Sequence, residues 1–280
     1  MNRLAGAFEG LRRRGERALM PYFTAGDPSL DATRRLVVEA AKRGADIVEL
    51  GIPFSDPLAD GPVVQRATQR ALAAGVTLPR VLELVREIRA ETAVPLVFLT
   101  YYNPVLAFGL GAFCRSAVEA GADGLLVADL PPEEAGPLRA QADAAGLDVS
   151  HFVAPTSTPE RMRKIARATG AFIYMVSLTG VTGARPELPP DLARHLRALR
   201  GITTKPICVG FGIATPEHAA LVAQLADGVI VGSAIVSLVE RHARSADLLA
   251  EVGDFVAALK SPLRSPGAGP IPSSGGLGGA

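Results

Sequence analysis

The sequence predicts a closed (β/α)8 barrel of the TIM type: a single α/β domain with an extra N-terminal helix and a flexible C-terminal tail. Three observations carry that expectation. Short, continuously apolar runs recur along the chain, as strands of a parallel sheet buried on both faces must. A glycine or a small residue followed by aspartate introduces several of them, at Gly44-Ala45-Asp46, Gly121-Ala122-Asp123, Gly170-Ala171 and Ala226-Asp227. Glycine suits such helix ends because it tolerates positive φ. Eight runs separated by helical stretches before residue 261 give roughly 32 residues per βα unit, the repeat length of a TIM barrel. The competing open, doubly wound sheet would bring Gly-x-Gly-x-x-Gly after its first strand, and that pattern is absent there.

Taken in order, Leu4, Phe8 and Leu11 share one face of a helix over residues 4–13. The strand candidates are 19–24, 47–51, 94–100, 124–128, 148–153, 172–177, 206–210 and 228–232. The first closes in Thr24-Ala25-Gly26-Asp27-Pro28, a turn. Asp31 is a candidate N-cap for the helix that follows, with Leu36, Val37, Ala40 and Ala41 as its buried stripe. The barrel is expected over residues 1–260. Residues 261–280 hold six Gly, four Pro and four Ser and are expected to form a disordered tail.

Composition narrows the function classes. Of 280 residues, 48% are hydrophobic and 20% charged, which excludes disorder for most of the chain. Lys and Arg number 29 against 28 Asp and Glu, a net charge of +1, so no strong field recruits nucleic acid or an anionic membrane. Two cysteines, Cys114 and Cys208, make no disulfide framework and fit a reducing compartment. Arginines from Arg12 to Arg17 interrupt any secretion signal, and no apolar stretch spans a bilayer. The expected location is the cytoplasm.

In a TIM barrel the chemistry lies at the C-terminal ends of the strands. Glu49 sits between Val48 and Leu50 in the second strand. Burial there would raise its pKa and make it a general acid and base near neutral pH. A Glu paired with a buried Arg explains the same residue, and the sequence alone leaves both open. The proline-rich loop 53–62 carries Asp56 and Asp60. Asp60 could return over the barrel mouth to face Glu49, two carboxylates in unlike environments dividing acid and base roles; a helix N-cap is the alternative. Gly210-Phe211-Gly212 and Gly232-Ser233 end the last two strands, where barrels hold phosphate on backbone N–H groups and helix dipoles, unless they are ordinary tight turns. Loop 179–185, with Gly180, Thr182 and Gly183, has the composition of a mobile lid or of a plain surface loop. None of the lysines Lys42, Lys164, Lys205 and Lys260 ends a strand, which argues against a Schiff-base aldolase. The four histidines are dispersed and read as surface or strand-edge residues, so no metal site is expected. Asp129 reads as a cap for the helix after strand four, and Cys208 as packing.

At this point the motifs resemble one family. The run from Glu49 to Pro62, with Tyr101-Tyr102-Asn103-Pro104, Gly180-Val181-Thr182-Gly183, Gly210-Phe211-Gly212-Ile213 and Gly232-Ser233-Ala234, is similar to the signature of tryptophan synthase α subunits, in order from about Tyr22 to Leu259. The resemblance implies retro-aldol cleavage of indole-3-glycerol phosphate to indole and glyceraldehyde 3-phosphate. It implies Glu49 and Asp60 as catalytic residues and Gly183, Phe211, Gly212, Gly232 and Ser233 as the phosphate site. Tyr22, Leu99, Leu126, Tyr174 and Ile230 would line the indole pocket, and Thr182 with Gly180 would form the lid. It also implies no cofactor in this chain and an α2β2 complex with a pyridoxal-phosphate β subunit, faced by Asp56, Asn103 and Pro104. A stand-alone lyase of the same chemistry, or a non-catalytic subunit that activates the β partner, are the alternatives.

Overall fold

Eight parallel strands close into a barrel in sequential order, β1 pairing with both β2 and β8. The computed structural model describes residues 3–176, 191–210 and 212–265. The strands are β1 (Ala18–Thr24), β2 (Val48–Gly51), β3 (Leu96–Thr100), β4 (Gly124–Val127), β5 (Asp148–Val153), β6 (Ile173–Val176), β7 (Ile207–Gly210) and β8 (Gly228–Val231). Each falls on an expected apolar run, shortened where Pro95 and Pro206 lack an N–H to give. The (β/α)8 expectation is met.

Among the described residues the helices number twelve, because three βα connections carry two each. They are α1 (Arg3–Arg14), α2 (Leu30–Lys42), α3 (Pro62–Ala73), α4 (Leu78–Glu91), α5 (Tyr102–Phe108), α6 (Leu110–Ala120), α7 (Gly136–Ala145), α8 (Pro159–Ala168), α9 (Leu192–Arg200), α10 (Pro216–Ala223), α11 (Ser233–His242) and α12 (Leu248–Lys260). The extra members, α3 and α5 among them, lie at the C-terminal ends of strands and so build the rim of the site. The cap of α2 is Ser29, whose side chain accepts from the Ala32 N–H, rather than Asp31. Asp31 lies in the first turn instead, where it favours the helix dipole.

The recurring aspartates explain themselves at the N-terminal ends of the strands. Asp46 accepts the Leu19 N–H at 2.8 Å, Asp123 the Leu96 N–H at 2.9 Å, and Asp227 the Ile207 N–H at 2.8 Å. Each ties the start of one strand to its neighbour and so sets the register. Cations compensate these carboxylates, of which Asp123 is buried and the other two half-buried: Arg89 and Arg3 at Asp123, Lys260 at Asp46, Arg200 at Asp227. Below them α1 closes this end of the barrel. Leu4, Phe8 and Leu11 pack against Ala18, Ile47, Val97 and Phe172, all buried.

Two expectations need correction. The tail does not begin at residue 261, because Ser261–Leu263 form a 3-10 turn with Leu263 fully buried and its carbonyl accepting the Arg17 N–H at 2.9 Å. A single leucine among Pro and Ser finds a pocket that composition does not reveal; residues 266–280 lie outside the described ones. Nor are the histidines all superficial, since His151 and His218 are buried. Burial pushes the His151 imidazole down to about 4.

Replacing Asp123 by Ala leaves the Leu96 N–H without its acceptor and the Arg89 guanidinium without its carboxylate. Urea denaturation should show a loss of about 3 kcal/mol. The exposed Asp31→Ala should cost under about 1 kcal/mol.

Candidate active site

Tyr22 and Glu49 are register partners on β1 and β2, and Thr24 pairs with Gly51 in the same way. Side chains two residues apart on a strand share a face, so Tyr22, Thr24 and Glu49 all point into the barrel. The Tyr22 ring leans across β2, and its hydroxyl meets that of Thr24 at 3.2 Å. It occupies the space of the missing side chain at Gly51, where a Cβ would stand 2.1 Å from the phenol oxygen. Across the barrel Tyr174 on β6 does the same over β7: a Cβ at Gly210 would lie 2.2 Å from its hydroxyl. Phe152 packs on the Tyr174 ring at 4.8 Å. The strands thus leave a cavity, partly open to solvent, lined by Tyr22, Glu49, Asp60, Gly61, Val64, Leu99, Tyr174, Gly212, Ile213, Gly232 and Ser233.

Glu49 is 1% exposed, and its Oε1 has no hydrogen-bond partner. Burial, then the charge of Asp60, pushes its carboxyl up to about 8. Asp60 is raised to about 6 by burial, with the Tyr101 hydrogen bond opposing. Among the described residues no cation pairs with either, so the reading of Glu49 as half of a buried Glu–Arg pair is not met. Nor is Asp60 a helix cap. The N-cap of α3 is Gly61, followed by Pro62 at N1, and no side chain caps it. The Asp60 carboxylate instead accepts the Tyr101 hydroxyl at 3.0 Å, and that oxygen accepts the Ala59 N–H at 2.9 Å. Gln65 donates to the Asp60 carbonyl at 2.9 Å and so holds the backbone. Asp129 does not cap the helix that follows it; it accepts the Tyr102 N–H of α5 at 2.7 Å.

Gly212, Ile213, Gly232 and Ser233 line the same cavity. Gly212 has φ +81°, a conformation other residues rarely adopt. Gly232 is the N-cap of α11 and no side chain caps that helix. Its first-turn N–H groups and dipole therefore offer an anion a seat.

The remaining expected residues divide. Leu126 and Ile230 are fully buried in the barrel interior, packed behind Tyr174 and Leu99. Asp56 and Asn103 are exposed on the rim and Pro104 is half-buried. Gly180, Thr182, Gly183 and Phe211 lie outside the described residues. Val64 was not singled out from sequence, and Tyr101 and Ile213 stood in motifs without a role of their own. Apolar residues there carry no signal, and the bond from Tyr101 to Asp60 spans 41 positions that only the folded loop brings together. Among the described residues no group of three or more His, Cys, Asp or Glu could hold a metal ion, and no helix is long and apolar enough to cross a membrane.

Comparison with known proteins is consistent along the chain. The family model described as tryptophan synthase alpha chain matches residues 8–261. The tryptophan synthase alpha chain of Geobacter sp. (strain M21) is 51% identical over 260 residues, covering 93% of this chain and 97% of that relative. Tryptophan synthase subunit alpha from Legionella pneumophila str. Paris is similar in structure, with a TM-score of 0.87 at 39% identity over 94% of this chain and 98% of that one. A chain of Mycobacterium tuberculosis tryptophan synthase gives a TM-score of 0.86 at 36% identity over 94% and 98%.

The buried Glu49 makes stability depend on pH. Its folded value of about 8 lies above its ordinary 4.5, so between those values the folded state binds the extra proton and stability falls as pH rises. Glu49→Gln removes that slope. Thermal melts should show the variant gaining on the wild type from about pH 5 to pH 8, by at most about 1.4 kcal/mol per pH unit.

Proposed function

The chain belongs to the tryptophan synthase alpha chain family, which cleaves indole-3-glycerol phosphate to indole and glyceraldehyde 3-phosphate in tryptophan biosynthesis, and we propose that Glu49 and Asp60 divide the acid–base work of that cleavage. The enzyme is a carbon–carbon lyase. The observation that carries the residue assignment is two carboxyls in one cavity with unlike environments, Glu49 held to about 8 and Asp60 to about 6.

Near pH 7 Glu49 is the acid and Asp60 the anion. The protonated Glu49 gives its proton to indole C3, leaving a positively charged indolenine. Asp60 accepts the ring N–H and stabilises that charge. The Glu49 carboxylate then removes the proton from the hydroxyl on the carbon attached to C3. That oxygen forms the aldehyde C=O as the carbon–carbon bond breaks, and the bonding electrons restore the indole ring. Glu49 ends protonated, as it began. Gly212, Gly232 and Ser233, with Phe211 and Gly183, bind the phosphate. Tyr22, Leu99 and Tyr174, backed by Leu126 and Ile230, hold the flat ring. Thr182 and Gly180, outside the described residues, keep the lid role that the resemblance implies.

The family name implies a beta subunit partner. On this reading the complex is α2β2, the pyridoxal phosphate belongs to the beta subunit, this chain brings no cofactor, and the complex is cytoplasmic. The rim supports a docking face there: Asp56 and Asn103 are exposed, and Leu58 and Leu106 beside them are 92% and 51% exposed. On this reading the two leucines are contact anchors for the partner.

An indole-release assay tests both parts. Glu49→Gln should abolish cleavage while the protein still folds and binds substrate, and Asp60→Asn should lower kcat on the order of 100-fold; wild-type turnover in either rejects its role. Added beta subunit should raise the wild-type rate. Leu58→Asp should lose that gain and keep the unstimulated rate, whereas an equal gain in both would remove Leu58 from the interface.

A further inference from the structure

We infer that Tyr101 is a positioning residue for the reaction, its hydroxyl pinned by the Ala59 amide so that its one proton fixes the Asp60 carboxylate in the cavity and favours the ionised form. The inference rests on Asp60 being the group that stabilises the indolenine. Tyr101 follows β3 directly and is buried. Its oxygen accepts the Ala59 N–H at 2.9 Å and lies 3.0 Å from Asp60 Oδ2. A phenol carries one proton. With Ala59 supplying the other hydrogen bond, that proton goes to the carboxylate, and the rotor has no second orientation that serves both partners. The ring is held as firmly: Phe54 of the same loop packs on it at 5.5 Å. The next residue, Tyr102, has its N–H held by Asp129 at 2.7 Å.

One side chain thus grips the catalytic loop at three points, Phe54, Ala59 and Asp60. A hydrogen bond to the charged form of a buried acid favours that form, so Tyr101 opposes the burial that drives Asp60 toward protonation. The titratable groups facing Asp60 from the packed elements are Glu49 on β2, Tyr22 on β1, Tyr174 on β6 and Tyr101 itself, with Asp129 beyond Tyr101. Among the described residues none is cationic, which leaves the phenol as the counterweight to desolvation.

The test is the pH profile of kcat for indole release by the full chain. Cleavage needs Asp60 ionised and Glu49 protonated, so the profile is bell-shaped, with Asp60 on the acid limb and Glu49 on the alkaline limb. Tyr101→Phe keeps the ring and its packing. It should move the acid limb up by about one pH unit, leave the alkaline limb in place, lower kcat on the order of tenfold on the acid side of that limb and only about twofold near pH 7, and change KM little. Site-specific 3,5-difluorotyrosine at position 101 keeps the hydroxyl as a stronger donor and should move the acid limb down. In the Asp60→Asn background Tyr101→Phe should have no further effect on kcat. A uniform loss across pH in Tyr101→Phe, or an acid limb unmoved by both variants, would overturn the assignment. Absence of cleavage by the wild-type chain, or full activity in Asp60→Asn, would instead overturn the reading on which it rests.

Discussion

Desolvation of one carboxyl governs the upper half of this barrel. Glu49 projects from β2 into an interior built for aliphatic side chains, and one of its oxygens meets no donor. Ionising it there is unfavourable, so near neutral pH the group is held as an acid. The surroundings preserve that state. A lysine or arginine beside it would lower its pKa and favour the ionised form. The neighbours are instead phenols, Tyr22 and Tyr174, themselves pushed well above their ordinary value by burial and by the carboxylates. Phenols held neutral in this way line the wall without adding charge to it.

Strand register then converts this chemistry into shape. Residues of adjacent parallel strands stand in layers around the barrel, and a side chain in one layer can reach the next only where a neighbour is missing. Gly51 and Gly210 supply those gaps, and the phenols of Tyr22 and Tyr174 fill them. Both rings line the cavity that holds Glu49 and Asp60, together with the uncapped start of α11 and the turn at Gly212. The two carboxyls come from β2 and the loop after it, the glycine turns from the ends of β7 and β8, so no single loop has to order the whole cavity.

How much of this was legible in the sequence follows from the range of the forces involved. The strands announced themselves because burial on both faces demands unbroken apolar runs. Glu49 stood out for the same reason: a charge inside such a run is costly. Short-range rules misplaced two acids whose partners are distant: Asp60 turned to Tyr101, and Asp129 served the helix of a neighbouring unit. A capping motif is written within four residues, whereas these bonds span 27 to 41 positions. The doubled helices after three strands were hidden too, since periodicity alone does not separate one bent helical stretch from two. Leu263 was lost in a Pro- and Ser-rich context although its burial is complete.

The helix that seals the opposite end has a consequence for traffic. With Leu4, Phe8 and Leu11 packed across the base of the strands, the barrel is a blind vessel with one doorway. Among the described residues the cavity opens at the other end, on the rim that also carries the exposed Leu58 and Leu106, so whatever covers that rim stands between the cavity and bulk water.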